Sequence, residues 1–148
     1  MTGARLTVTR RFTSTGPDET RAIGETIGAS LAPGSLVLLC GPLGAGKTVL
    51  AGGIARALGV EDAIISPTYT IVADYPGRVP LAHVDLYRIE GDVQLDGLGL
   101  DDLIGGPGVT VIEWGEKLDG ARSRGAVRIT ISVQADGKRL VTVQGPGA

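Results

Sequence analysis

The chain has 148 residues, enough for one domain with a real core, and its 14 basic and 16 acidic side chains leave a net charge of −2. That balance excludes a global basic field for gripping nucleic acid, so any RNA connection has to be local or run through a partner. A single cysteine, Cys40, excludes an intramolecular disulfide framework; MTGARLTVTRRF lacks the apolar stretch of a signal peptide, and no window approaches the roughly 18 apolar residues of a membrane span. A reduced, cytoplasmic setting is therefore expected.

In chain order, Leu6 to Phe12 alternates and carries β-branched residues, which predicts a short strand ending at Ser14 to Pro17. Pro17-Asp18-Glu19 opens a helix with acids in its first turn and Ile23, Ile27 and Leu31 at helical spacing, stopped by Pro33-Gly34. SLVLLC over Ser35 to Cys40 is apolar without alternation, as in a central strand buried on both faces. A glycine-rich loop follows, and Lys47 to Leu58 reads as the next helix. Ile64 to Val72 and Val79 to Val84 predict two strands around a turn at Tyr75-Pro76-Gly77. Val93 to Ile104 predicts one helix with Leu95, Leu98 and Leu103 inward. Val109 to Trp114 is a second buried strand, and Val127 to Val133 with Leu140 to Gln144 form a hairpin around Asp136-Gly137. This order predicts an α/β sandwich, its mixed sheet parallel at the centre and antiparallel at the C-terminal hairpin.

GPLGAGKT, Gly41 to Thr48, matches G-x-x-x-x-G-K-[ST] in full and lies between a buried strand and a helix, where a phosphate-binding loop has to lie. Its glycines let successive backbone N–H groups turn inward around phosphates, and the helix N-terminus adds positive partial charge. Lys47 is placed to reach the β- and γ-phosphates, and Thr48 to offer a hydroxyl to Mg²⁺. The fold class is then a three-layer P-loop NTPase sandwich, a single domain over 1–148.

A metal held through Thr48 needs an acid from a neighbouring strand, and Glu113 at the end of VTVIE supplies one. Asp85, ending the strand within HVDLYR, is placed to orient the attacking water or contact the metal shell. His83 reads as a packed, hydrogen-bonded core residue and Trp114 as a cap on the core. Thr68, in SPTYT, is the hydroxyl donor of a candidate γ-phosphate-sensing loop.

Taken together, LGAGKT, SPTYT, HVDLYR and IEW, in this order, resemble the bacterial TsaE family, formerly called YjeE, the ATPase of tRNA threonylcarbamoyladenosine biosynthesis. The resemblance implies that Leu43, Gly44, Ala45, Gly46, Lys47 and Thr48 hold ATP, that Thr48 and Glu113 serve Mg²⁺, that Asp85 is needed for hydrolysis, and that Thr68 takes a switch-like position. It also implies nucleotide contacts from Glu19 and from Lys138. Pro42 and Gly115 depart from the family's usual residues, an acid and a proline or alanine. The implied partners are TsaD and TsaB, with tRNA reached only through the complex and with ATP turnover weak until they assemble.

The rival enzyme reading is a small-molecule kinase with Arg122, Arg124 and Arg128 as lid arginines, against which stand the short Gly115 to Gly125 segment and the terminal hairpin. A GTPase is disfavoured because the chain has no asparagine and no Thr-Lys-x-Asp. A nucleotide-dependent switch with negligible hydrolysis remains open beside the ATPase.

Overall fold

The non-alternating apolar runs become the interior of one seven-stranded sheet in the computed structural model, which describes residues 8–42, 44–64, 72–118, 120 and 122–145. Its elements are β1 (Val8–Ser14), α1 (Pro17–Ala29), β2 (Leu36–Cys40), α2 (Lys47–Ala57), β3 (Val72–Tyr75), β4 (Leu81–Asp85), α3 (Asp92–Asp96), α4 (Leu100–Leu103), β5 (Val109–Glu113), a 3₁₀ turn over Gly115–Lys117, β6 (Val127–Val133) and β7 (Arg139–Gly145). The strand order is β1-β7-β6-β2-β5-β4-β3. β6, β2, β5 and β4 are parallel neighbours, while β1-β7-β6 and β4-β3 pair antiparallel. The expected α/β sandwich with a parallel centre is what forms.

Every residue of β2 and β5 is buried, because helices cover both faces at the centre. Val37, Leu39, Val109, Val111, Ile129 and Ile131 point to the face packed by Ile23 and Ile27 of α1 and Leu50 and Ile54 of α2. Leu36, Leu38, Val84 and Ile112 point to the other, where Leu95 and Leu100 cover them. Strand alternation thus sorts the core into two layers.

Two expectations are corrected. The helix over Val93 to Ile104 is two short helices, because Gly97 and Gly99 interrupt it and Gly99 takes φ +71, a left-handed conformation that the α-helix does not use. Of the strand expected over Ile64 to Val72, Ile64 lies in no strand and 65–71 are outside the described residues, while Tyr75, expected in the turn, ends the described strand Val72–Tyr75. No helix among the described residues is long and apolar enough to cross a membrane.

Candidate functional site

β2 delivers the chain into the loop at Gly41, whose φ of +146 and approach to β6, where a Cβ would stand 2.5 Å from the Ile131 carbonyl oxygen, both demand glycine. The loop closes on Gly46, the φ +107 residue that caps α2. Lys47, the first helical residue, is only 5% exposed. Its Nζ donates to the Gly41 carbonyl at 2.5 Å and stands 3.4 Å from the centre of the Trp114 ring. Burial pushes the Lys47 ammonium below its usual range, opposed by the charges of Glu116, Glu113 and Asp85.

Trp114 reaches Lys47 because its backbone turns left-handed directly after β5, at φ +60, the one non-glycine among the described residues to do so. Such strain marks positions held by their surroundings. The indole also stacks at 5.1 Å on Tyr87, and the next residue, Gly115, lies so close to β2 that a Cβ would meet that of Leu38 at 2.6 Å. Trp114 does border the core as expected, and it faces the loop lysine as well.

Across from the loop, the Thr48 hydroxyl donates to both oxygens of Glu113, at 3.1 and 3.0 Å. Asp85 stands in register with Glu113 on the adjacent parallel strand, so the two acids end neighbouring strands on one face. An Asp85 oxygen accepts from the Tyr87 backbone N–H at 2.9 Å. His83, two residues earlier on that face, is fully buried, with Nε2 2.6 Å from a Glu113 oxygen. The donor set fits Mg²⁺: a hydroxyl and a carboxylate, both hard oxygen ligands. Among the described residues no three of His, Cys, Asp and Glu cluster to cage a metal, so an ion here would take its remaining ligands from phosphate and water, as Mg²⁺ commonly does.

The other named positions lie around this centre. Gly44 and Ala45 turn carbonyls outward to Arg139, which donates to them at 3.5 and 3.2 Å and to Gly137 at 2.6 Å. Glu19 accepts from the Thr15 hydroxyl at 2.6 Å and from the Thr15 N–H at 3.3 Å, a local brace at the start of α1. These bonds, with a smaller pull from the charge of Lys138, hold its carboxyl below the usual range; Lys138 itself pairs with Asp136. Leu43 and Thr68 lie outside the described residues.

Sequence reading missed Arg139 and Glu116, whose carboxylate accepts from the Gly41 N–H at 3.3 Å. The available signal for Arg139 was a basic residue opening the hairpin's return strand, directly after the turn that ends at Lys138. Arg122 is tied to Asp96 and Asp101 at 2.5 and 3.4 Å, and Arg128 donates to the Cys40 sulfur at 3.3 Å. Neither is poised as a lid arginine.

A Walker A sequence turning from the central strand of a parallel-centred sheet into a helix, faced by an acid ending the next strand, defines an α/β protein of the P-loop class. The family profile described as threonylcarbamoyl adenosine biosynthesis protein TsaE matches residues 14–141. The tRNA threonylcarbamoyladenosine biosynthesis protein TsaE of Treponema pallidum is 40% identical, covering 90% of this chain and 98% of its own length. That of Bacillus subtilis is 36% identical over 93% and 86%, and a crystal structure of Bacillus subtilis YdiB superposes with a TM-score of 0.78 at 31% identity over 96% and 88%. The chain belongs to the TsaE family.

Proposed function

We propose that this chain is the ATP-binding and ATP-hydrolysing component of the machinery that makes N6-threonylcarbamoyladenosine at position 37 of tRNA in the cytoplasm, acting with TsaD and TsaB to sustain turnover. The observation that carries the reading is the Thr48–Glu113 contact, which joins the phosphate-loop helix to the acid of the neighbouring strand. Relatives named for threonylcarbamoyladenosine biosynthesis supply the pathway.

In this reading the backbone N–H groups of 43–48 take the triphosphate and Lys47 leaves Trp114 and the Gly41 carbonyl to meet the β- and γ-phosphates. Thr48 and Glu113 hold Mg²⁺, which when bound neutralises charge developing on the transferred phosphoryl group. Asp85, beside Glu113, orients the water that attacks the γ-phosphorus as the bond to ADP breaks. Thr68 serves as the γ-phosphate-sensing hydroxyl, and Glu19 and Lys138 border the nucleotide from α1 and the hairpin. Because the loop lysine is already engaged, turnover is slow in isolation and rises when partners assemble. With a net charge of −2, the chain meets tRNA through those partners.

The test is ATP turnover of the chain alone and with TsaD and TsaB, for the wild type, Asp85→Ala and Glu113→Ala. Partner-stimulated hydrolysis lost in both variants is expected. Phosphorylation of a metabolite without partners would overturn the reading in favour of a kinase.

A further inference from the structure

His83 is a buried polar side chain that the proposed mechanism leaves unused. It is fully buried at the centre of β4, and Glu113 is itself only 3% exposed. One carboxylate oxygen, Oε2, lies 2.6 Å from His83 Nε2 and 3.0 Å from the Thr48 hydroxyl; the other, Oε1, lies 3.1 Å from that hydroxyl alone. A carboxylate can only accept, so the imidazole donates. Its second nitrogen, Nδ1, has no hydrogen-bond partner among the described residues. Packing alone would be better served by an apolar side chain of similar volume, which leaves no buried nitrogen unpaired. The ring is therefore explained by what Nε2 does.

We propose that His83 is a positioning residue for the metal-binding carboxylate: its ring N–H pins Oε2 of Glu113, which holds both carboxylate oxygens against the Thr48 hydroxyl where the ion enters. A glutamate has three rotatable side-chain bonds, whereas the histidine has two and is locked by complete burial. The pair converts a flexible acid into a preset ligand. Partners of this kind fix ligand orientation and typically change metal affinity about tenfold or more when removed. The inference rests on the Mg²⁺ site proposed above.

The experiment titrates Mg²⁺ into protein holding a fluorescent ADP analogue, for wild type, His83→Leu, His83→Gln and Glu113→Gln, with binding in EDTA as the baseline. His83→Leu should raise the half-saturating Mg²⁺ about tenfold with the EDTA baseline unchanged. His83→Gln, which returns an N–H donor near the Nε2 position, should recover most of that loss. Equal Mg²⁺ dependence in wild type and His83→Leu, with Glu113→Gln impaired, overturns the role of His83 alone. Glu113→Gln behaving as wild type overturns the metal site itself, and this inference with it. His83 is the chain's one histidine, so ¹⁵N-histidine labelling gives a single ring spectrum in the unmodified protein, independent of whether a variant folds. Its Nε2 resonance should move when Mg²⁺ joins the nucleotide and stay still with nucleotide in EDTA; a ring indifferent to the metal overturns the proposal.

Discussion

The two faces of the sheet are covered differently, and the difference decides where a side chain can be held in place. On one face α1 and α2 meet through glycines: a Cβ on Gly24 would lie 2.3 Å from the Leu50 carbonyl oxygen, and one on Gly53 2.1 Å from that of Arg21. No side chain separates the two backbones there, and Thr48, His83, Asp85 and Glu113 all belong to that face. On the other, the cover is α3 and α4, of five and four residues, each anchored by one fully buried leucine, and Val93 of α3 is 87% exposed. Close packing fixes orientation because a dense interior has few alternative arrangements. Chemistry that depends on a few tenths of an ångström sits on the tightly covered face.

The sharpest way to break that comparison is Gly53→Ala. Backbone atoms stand in the new methyl's way, so the helices have to separate, and a loss of about 4 kcal/mol or more is expected in urea unfolding. Next come paired truncations at equal burial. Leu50→Ala, under α1, should cost about 3 kcal/mol because the rigid pair cannot collapse into the cavity, and Leu95→Ala about 2 kcal/mol because the short α3 can. Equal losses would mean that the thin cover is as rigid as the thick one. A smaller effect separates the two glycines that break α3 from α4. Gly99→Ala should destabilise by about 1 kcal/mol because of its φ of +71. Gly97→Ala, at φ −74 with no contact nearer than 3.5 Å, should stabilise by about 0.5 kcal/mol.

The same contrast governs what could be read from the sequence. β2, α2 and β5 were legible because a buried central strand and a phosphate loop are local patterns, complete within a dozen residues. The α3–α4 segment was misread because Leu95, Leu98 and Leu103 keep helical spacing across two glycines, and the period outweighed the breaks. Within the candidate site, Glu113 and Asp85 could be singled out because each ends a recognisable strand. Arg139 was not, since its bond to the Ala45 carbonyl spans 94 residues and no local pattern encodes it. The Lys47–Trp114 contact was hidden for a related reason: it depends on a left-handed turn at Trp114 that no propensity predicts for tryptophan.

The smallest expected effect tests whether a surface group on the tightly covered side shares in its order. Glu19 is exposed, and bonds from the Thr15 hydroxyl and N–H, with a contribution from Lys138, hold its carboxyl below the ordinary 4.5. A carboxyl with a depressed folded value stays ionised in the folded chain while the unfolded chain begins to take up a proton. Its contribution is therefore full above 4.5 and fades as pH falls through the folded value. Glu19→Gln removes the charge at every pH, so its melting temperature should lie slightly below wild type above pH 4.5, with the gap closing in acid. Calorimetric melts across that range measure it. A gap that persists unchanged into acid would show that the Glu19 side chain stabilises α1 through something other than its charge, and that order on this face extends to its exposed rim.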